Sequence, residues 1–302
     1  MNYESIKAPI IAEFALFQQF LDSAFSAEEQ LLKKVLDHVR TQKGKQVRPV
    51  FTLLCAKLCA VPNNKTINVA AAYELLHTAS LIHDDVVDNT MERRGQPSAN
   101  ALFDNRTAVL VGDYWLVKAM EEILGSGQDS SRVIRIFAKT LSDLAEGEML
   151  QLQKAQKGDT DEQDYLRIIY SKTASLFEAT CVSAAKSVSA SQEYVEAARA
   201  YAVALGIAFQ IQDDILDYAG TDAVGKPLGA DILEQKITMP LLGALANVDE
   251  AKVKDIRGKI EAIVGQPEYR DEILDFVRSN GGLEYAAAAL DRYVAQAVES
   301  LS

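Results

Sequence analysis

Apolar residues recur at three- and four-residue intervals over most of this chain, and strict alternation of apolar and polar residues is nearly absent. Four segments show the pattern clearly: DYWLVKAMEEIL, RVIRIFAKTLSDLAEGEMLQLQKA, DYLRIIYSKTASLFEATCVSAA and EYVEAARAYAVALGIAFQIQDDIL. This spacing lays one apolar stripe along a helix. The sequence therefore predicts long amphipathic helices rather than strands.

Proline positions support the same organisation. The seven prolines lie at positions 9, 49, 62, 97, 227, 240 and 267, so residues 98–226 contain none. Because proline breaks helix interiors, this distribution is typical of a helical core. Capping patterns precede three helical stretches, at Ser26–Glu29, Asp159–Glu162 and Ser191–Glu193. We find no repeat and no linker, and predict one all-α domain over residues 1–302 with roughly a dozen helices.

Composition excludes several classes of function. The chain carries 31 Lys and Arg residues against 43 Asp and Glu residues, a formal net charge of −12, which argues against nucleic-acid binding by bulk charge. The three cysteines lack CxxC spacing, so neither a disulfide framework nor a zinc site is indicated. No apolar run reaches the roughly 18 residues of a membrane span, and the N-terminus lacks a targeting signal. We predict a soluble cytoplasmic protein with no transmembrane segment and no nucleic-acid partner.

Acidic residues cluster at the ends of two apolar segments, AAAYELLHTASLIH and the segment ending in FQIQDDILD. The clusters comprise Asp84, Asp85 and Asp88, and Asp213, Asp214 and Asp217. Like charges four residues apart on one helix face repel by a few tenths of a kcal/mol. Divalent cations would explain them, because Mg²⁺ prefers carboxylates together with water and substrate phosphate. One cluster alone could be a solvated helix end, but two copies argue for Mg²⁺ and a phosphorylated substrate.

Cationic residues accompany both clusters. Arg93 and Arg94 follow the first in RRG, Lys226 follows the second in GKPLG, and Lys236 comes ten residues later. Arginine forms two-pronged hydrogen bonds to phosphate, and lysine supplies a point charge. These residues fit a diphosphate ligand.

Two further polar residues share helix faces with the acids. His77 lies seven residues before Asp84, about 10 Å along the helix axis and about 20° around it. Gln210 projects within about 60° of Asp213. Both are therefore candidate site residues.

The fragments together resemble the trans-isoprenyl diphosphate synthases, over residues 40–245. The resemblance lies in the order GKQVRP, ELLHTASLIHDDVVD, RRG, VGDY, SKTA, FQIQDDILDY, GKPLGAD and EQKITMP. It implies an all-α bundle of the isoprenoid synthase type around a central substrate cavity, and a homodimer. The chain departs from the family pattern at Lys43 and Gln46, where GGKRxRP is usual, and at Gln235, which replaces a glycine.

The resemblance also implies residue roles, with three Mg²⁺ ions bound alongside the allylic diphosphate. Asp84 and Asp88 resemble the ligands of two ions and Asp213 that of the third, while Asp85, Asp214 and Asp217 act through water or hydrogen bonds. Asp217 is thereby counted with the metal-binding residues. Allylic diphosphate contacts fall to Arg93, Lys172, Lys226 and Lys236, the isopentenyl diphosphate site to Lys45, Arg48, His77 and Arg94, and positions near the reacting carbons to Thr173 and Gln210.

These roles describe a prenyltransferase that joins an allylic prenyl diphosphate to isopentenyl diphosphate in successive head-to-tail trans additions. The allylic diphosphate ionises, the isopentenyl double bond attacks, and a proton is lost. The predicted catalytic residues are Asp84, Asp85, Asp88, Arg93, Lys172, Thr173, Gln210, Asp213, Asp214 and Lys226. No side chain is assigned as the base, since in the family the released diphosphate is thought to take the proton.

Product length is expected to depend on the helix before the first cluster. In the family, an aromatic residue five positions before the first Asp stops growth at farnesyl, and here that position is Ala79. Ser80 and Leu76 lie on the neighbouring arc of the helix. We therefore predict an all-trans product longer than farnesyl diphosphate, with Tyr73, Tyr114 and Trp115 as candidate floors of the tunnel.

Other functions remain open at this level. A geranylgeranyl or farnesyl diphosphate synthase would differ only in product length. A class I terpene cyclase would share the fold, an Asp-rich motif and Mg²⁺ but needs no isopentenyl site. A subunit of a heteromeric synthase is the non-enzymatic alternative, and a helical scaffold would leave both acidic clusters unexplained.

Overall fold

The predicted all-α fold is confirmed. In this computed structural model, residues 3–24, 27–42, 44–125, 130–220 and 228–302 are described. Helices make up 81% of the structure. No helix within the described ranges combines the length and apolar character needed to cross a lipid bilayer.

The helices follow one another along the chain with short connections. They are α1 (Tyr3–Lys7), α2 (Ile11–Ala24), α3 (Gln30–Thr41), α4 (Val47–Cys59), α5 (Asn64–Val87), α6 (Ala99–Leu102), α7 (Asn105–Gly125), α8 (Ser130–Lys157), α9 (Glu162–Ile169), α10 (Ser175–Ser187), α11 (Gln192–Ala219), α12 (Ala230–Leu233), α13 (Met239–Ala246), α14 (Glu250–Ala262), α15 (Tyr269–Ser279) and α16 (Gly282–Glu299). A 3₁₀ turn covers Ala8–Ile10, and a π-helical turn covers Tyr170–Ala174. Strands β1 (Glu92–Arg93) and β2 (Gln96–Pro97) form a small antiparallel hairpin.

The helix starts test the capping patterns. Ser191 precedes α11 and its hydroxyl accepts a bond from the backbone N–H of Tyr194 at 3.5 Å. The pattern at Asp159 was wrong by two residues: Asp161 caps α9 by accepting from the Asp164 N–H at 2.8 Å. Asp159 instead forms an ion pair with Lys154 at 3.2 Å. Ser26 lies outside the described residues.

The chain forms two compact units, of which the first comprises Met1–Ala138 and Ala179–Ala198. Within it α5 packs against α2, α4 and α7. An Asn63 capping box with Thr66 starts α5, and Tyr73 in its middle is fully buried. The Tyr73 hydroxyl is 2.9 Å from the Ser183 Oγ, and its ring centroid is 5.9 Å from that of Phe137. These contacts hold α5 firmly along its length.

The second unit comprises Lys139–Glu178 and Arg199–Ser302. Here α13 packs against α9, α15 and α16. Two apolar clusters form its core, one around Tyr165, Ile211 and Met239 and the other around Tyr218 and Leu241. The assignment of residues 1–302 to a single domain stays a prediction.

Candidate active site

The first acidic cluster lies where α5 ends. Asp84 is in the last helical turn, and Asp88 is the C-cap residue, whose backbone N–H donates to the Asp84 carbonyl at 2.8 Å. Asp84 is half-buried, Asp88 is exposed, and Asp85 between them is only 2% exposed. The cluster therefore has two open carboxylates and one enclosed carboxylate.

A salt bridge to Arg93 accounts for the burial of Asp85. The Arg93 Nε donates to the two carboxylate oxygens at 2.8 and 2.9 Å, and Nη2 donates to Oδ1 at 2.5 Å. The β1–β2 hairpin makes this bond possible, because Arg94 and Gly95 in its turn have φ values of 55° and 75°. Such left-handed pairs are typical of tight hairpin turns. Arg93, predicted to contact the allylic diphosphate, is thus bound to Asp85 in this structure.

Three of the residues predicted for isopentenyl diphosphate lie together in the first unit. His77 and Arg94 line a cavity of about 60 Å³, together with Glu74, Gln46 and Asp85. Burial lowers the pKa of His77 well below its ordinary value, and the positive charges of Arg48 and Arg94 act in the same direction. Burial likewise lowers the pKa of Arg48 to about 10. The cavity wall therefore combines fixed positive charge with a neutral imidazole.

Backbone contacts hold the cationic loop beside this cavity. The Arg94 Nη1 donates to the Gln42 carbonyl at 2.6 Å, and a Cβ on Gly44 would lie 2.5 Å from Arg94 Nη2. Gln46, one of the departures from the family pattern, has a left-handed φ of 50° and accepts from Gln18 Nε2 at 2.5 Å. Lys45 is exposed on this loop. A side chain at position 44 would therefore displace the Arg94 guanidinium from its present position.

Glu74 is a site residue that the sequence analysis missed. It lies one helical turn before His77 and lines the same cavity. Burial raises the pKa of Glu74, while Arg48 and Arg94 act in the opposite direction. Glu74 is thus an acidic residue among these cations, and the helix spacing to His77 was a signal that could have identified it.

The second acidic cluster, in the second unit, repeats the pattern of the first. Asp213 is exposed, whereas Asp214 is 1% exposed. Asp217 is half-buried, and its two carboxylate oxygens accept bonds from the backbone N–H groups of Ala230 and Asp231 at 3.0 and 3.2 Å. Asp217 therefore anchors the start of α12.

Asp214 joins a row of hydrogen-bonded side chains. Gln210 Nε2 donates to Asp214 Oδ1 at 2.9 Å, and the Tyr165 hydroxyl donates to Asp214 Oδ2 at 2.6 Å. The Thr173 hydroxyl donates to Gln210 Oε1 at 2.8 Å. Burial, with Asp231 as the next contributor, raises the pKa of Asp214 to about 8. Thr173 and Gln210 are thus brought together as predicted, while Tyr165 was missed.

The remaining predicted cations of this unit have acidic partners. Lys172 lies in the π-helical turn and pairs with Glu148 of α8, and Lys236 pairs with Glu234. Glu148 was also missed by the sequence analysis. Lys226 lies outside the described residues.

The predicted product-length residues lie in the middle of α5. Leu76 and Ala79 are fully buried and Ser80 is half-buried. Of the candidate tunnel floors, Tyr73 and Trp115 are fully buried, while Tyr114 is half-buried.

The open carboxylates are oxygen donors of the kind that hard cations prefer. Within the described ranges, no three His, Cys, Asp or Glu side chains form a ready metal cage. Mg²⁺ is commonly bound by one or two carboxylates, with water and substrate phosphate completing the shell. Asp84, Asp88 and Asp213 fit that mode.

Comparison with known families decides the relationship. The family model described as Polyprenyl synthetase matches residues 29–276, which is more than half of the chain. This chain belongs to the polyprenyl synthetase family. As a polyprenyl synthetase it is a transferase, and the predicted relationship is confirmed.

Individual polyprenyl synthetases are similar to this chain over nearly its full length. The all-trans-nonaprenyl-diphosphate synthase (geranyl-diphosphate specific) of Rhodobacter capsulatus is 38% identical over 99% of this chain and 91% of its own. A crystal structure of a decaprenyl diphosphate synthase from the same organism has a TM-score of 0.92 at 36% identity, covering 99% and 92%. A polyprenyl synthase from Caulobacter crescentus CB15, complexed with calcium and isoprenyl diphosphate, has a TM-score of 0.91 at 30% identity, covering 99% and 91%.

Proposed function

We propose that this protein is a trans-polyprenyl diphosphate synthase that condenses an allylic prenyl diphosphate with isopentenyl diphosphate. The observation that carries the proposal is the cavity beside α5 that is lined by His77, Arg93 and Arg94, next to Asp85 of the acidic cluster. Two guanidinium groups in a partly enclosed site suit a diphosphate. The relatives named above favour this activity over a terpene cyclase.

Isopentenyl diphosphate is proposed to bind at this cavity, with Lys45, Arg48 and Arg94 neutralising its phosphates. His77 is held neutral by its surroundings. It therefore offers a hydrogen bond without adding a fourth charge. The anchored guanidinium of Arg94 fixes the position of the diphosphate, so that the double bond of the substrate is held in one orientation.

The allylic diphosphate is proposed to interact with Arg93, Lys172, Lys226 and Lys236. The residues that would hold Mg²⁺ are Asp84, Asp88 and Asp213, with Asp217 acting through water; three ions are expected. When bound, Mg²⁺ supplies positive charge that stabilises the departing diphosphate. Asp85 and Asp214 are proposed to orient neighbouring groups, because both are enclosed and hydrogen-bonded.

The reaction balances without a protein nucleophile. The allylic carbon–oxygen bond breaks and the diphosphate leaves with the electron pair. The isopentenyl double bond then supplies the pair for the new carbon–carbon bond, and a proton passes to the released diphosphate, which restores a double bond. Thr173 and Gln210 are proposed to lie near the reacting carbons, where their dipoles stabilise developing positive charge.

The product is proposed to be longer than farnesyl diphosphate. The two Rhodobacter capsulatus relatives are named as synthases of nonaprenyl and decaprenyl diphosphate. On α5, the small residues Ala79 and Ser80 lie next to the fully buried Leu76, where an aromatic residue would take up more space. An exposed apolar stripe on α7, formed by Leu110, Val117 and Leu124, supports the further proposal of a homodimer. We also propose that the protein is located in the cytoplasm.

The decisive assay uses the purified chain alone with farnesyl diphosphate, radiolabelled isopentenyl diphosphate and Mg²⁺. We expect chromatography to show products longer than farnesyl. Asp84→Asn should lower the rate by at least about 100-fold, because a charge that stabilises the leaving group is lost. The exposed Asp291 of α16 provides a matched control, and Asp291→Asn should retain the rate. No incorporation by the chain alone would contradict a stand-alone synthase.

Product length has its own test. Ala79→Phe places a ring beside the fully buried Leu76, and Ser80→Phe places one at a less buried position. Each should shift the chromatographic profile to shorter products, because the growing chain meets a ring. Should Ala79→Phe fail to fold, Ser80→Phe still provides the test. An unchanged distribution in a folded variant would remove these residues from the tunnel.

A further inference from the structure

The buried bond between Tyr165 and Asp214 has no role in the reaction described above. Tyr165 lies on α9 and is 3% exposed, and its hydroxyl donates to Asp214 Oδ2 at 2.6 Å. Both residues belong to the second unit. A buried contact of this length between a hydroxyl and a carboxyl group holds both in place. If they separated, the hydroxyl would lose its hydrogen bond without gaining one to water.

Asp214 transmits that constraint to Gln210. Gln210 Nε2 donates to Asp214 Oδ1 at 2.9 Å, four residues away on the same helix. In this hydrogen bond the amide nitrogen of Gln210 faces Asp214, and the carboxyl oxygen is the acceptor. Its amide oxygen then faces the opposite way.

The orientation of the amide in turn sets the direction of a hydroxyl. The Thr173 Oγ1 donates to Gln210 Oε1 at 2.8 Å. Its single proton is therefore committed to Gln210, and the lone pairs of its oxygen are directed elsewhere. If Gln210 turned over, its NH₂ group would face Thr173 and the hydroxyl would have to rotate.

We propose that Tyr165 is a positioning residue, which holds Asp214 against α9 and so fixes the Gln210 amide and the direction of the Thr173 hydroxyl. The proposal rests on the proposed function, which gives Thr173 and Gln210 their place near the reacting carbons. Tyr165 thereby keeps the hydroxyl proton of Thr173 on Gln210, so that the oxygen of Thr173, and not its hydrogen, can face the positive charge that develops on the substrate. Tyr165 does this through Asp214 without contacting substrate.

The chain contains a matched control. The Tyr285 hydroxyl donates to a carboxylate oxygen of Glu162, also at 2.6 Å and in the second unit. Tyr285→Phe and Tyr165→Phe each remove one hydroxyl from one tyrosine–carboxylate bond. A purely structural role predicts that both substitutions affect unfolding and neither affects turnover selectively.

The kinetic test compares the two variants. We expect Tyr165→Phe to lower kcat about tenfold, a typical loss for residues that orient a site residue, with KM for both substrates within about twofold of wild type. Tyr285→Phe should keep the wild-type kcat. Unchanged kcat in a folded Tyr165→Phe variant, with a thermal shift like that of Tyr285→Phe, would overturn the proposal.

A double-mutant cycle tests the route through Gln210. In a Gln210→Leu background the amide is absent, so Tyr165→Phe should have no further effect on kcat. The same tenfold loss in both backgrounds would mean that Tyr165 acts otherwise. If Tyr165→Phe does not fold, Asp214→Asn replaces it, because asparagine retains an acceptor for Gln210 and should keep more activity than Asp214→Leu. Equal losses in those two variants would count against the proposal.

Crystal structures separate failure of this proposal from failure of the proposed function. If the wild-type protein incorporates no isopentenyl diphosphate, the proposed function is wrong. The hydrogen bonds from Tyr165 to Thr173 can still be tested in that case. In Tyr165→Phe the Asp214 carboxyl should turn away from Gln210, and the 2.8 Å contact between Thr173 and Gln210 should be lost. Retention of that contact would overturn the positioning role.

Discussion

At the residue scale, the two acidic clusters owe their character to the partner of the middle aspartate. Asp85 is bound by Arg93, and Asp214 by Tyr165 and Gln210. Each middle carboxylate is enclosed, and an outer one remains exposed. Enclosed carboxylates need partners because an unpaired buried charge is costly. Burial thus separates the hydrogen-bonded middle carboxylate of each cluster from the outer carboxylate that is open to a ligand.

His77 makes folding stability dependent on pH. Burial and nearby Arg48 and Arg94 lower its pKa well below the ordinary value, so the folded state resists protonation. The unfolded chain binds a proton below about pH 6.5. Stability should therefore fall as pH drops below about 6.5, by at most about 1.4 kcal/mol per pH unit from this group. Urea unfolding across this range should show a shallower dependence in His77→Gln, and an identical dependence in both proteins would contradict the assignment.

Glu74 should behave as the internal counter-ion of the cavity. Glu74→Gln leaves Arg48 and Arg94 without its charge. Inorganic diphosphate supplies negative charge to the same guanidinium groups. It should therefore raise the thermal unfolding temperature more in the variant than in wild type. Glu122→Gln, a change of the same kind on α7, should show no extra gain; equal gains in all three proteins would refute the role.

At the element scale, the most informative feature is the π-helical turn Tyr170–Ala174, which carries Lys172 and Thr173. π-turns are rare and occur frequently at functional sites. Two glycines contact it: a Cβ on Gly147 would lie 2.6 Å from Ser171 Cβ, and one on Gly206 would lie 2.5 Å from Ala174 Cα. The turn is therefore held between α8 and α11.

Gly206→Ala should disturb this turn. The added methyl group meets the backbone at Ala174, which cannot move without shifting Thr173. We expect a loss of at least about tenfold in kcat and a lower unfolding temperature. Gly258→Ala at an exposed position of α14 is the control: nothing lies within 4 Å of its added Cβ. That substitution should stabilise the protein by about 0.5–1 kcal/mol through helix propensity without changing kcat. Wild-type turnover in Gly206→Ala would show that the close packing is dispensable.

At the scale of the whole molecule, a row of large apolar side chains on α7 is exposed to solvent. Leu110, Val117 and Leu124 recur every seven residues and are 61%, 53% and 56% exposed. Seven-residue spacing places the three side chains on one face of the helix, about 10 Å apart from one to the next. An apolar row of this kind is typical of a surface that meets another chain.

Val117→Glu should weaken the proposed dimer. A charge in the middle of the stripe would be buried on association, so the variant should sediment as a monomer where wild type sediments as a dimer. Leu58→Glu is the control, because Leu58 is 70% exposed on a different helix, α4. Sedimentation velocity at matched concentrations distinguishes them. Dimers in both variants would remove α7 from the interface.

Much of the fold follows from local patterns. Apolar spacing predicted the helices that carry both acidic clusters, and Ser191 marked the start of α11. The cap at Asp159 was misplaced, because Asp159 and Asp161 both fit the pattern and the ion pair with Lys154 distinguishes them. Strand patterns gave no sign of the β1–β2 hairpin, since two-residue strands are too short to show a period.

By itself the sequence determined the helical fold, the positions of the two acidic clusters and the family. The spacing of apolar residues and the order of the motifs can be read directly along the chain. Tertiary structure alone decided which carboxylate is enclosed, since Asp85 needs the hairpin that returns Arg93 and Asp214 needs Tyr165 from another helix. It also decided that Glu74 lies among cations and that Thr173 lies in a π-turn. Burial, and with it charge state and hydrogen bonding, is set by packing between residues far apart in the chain.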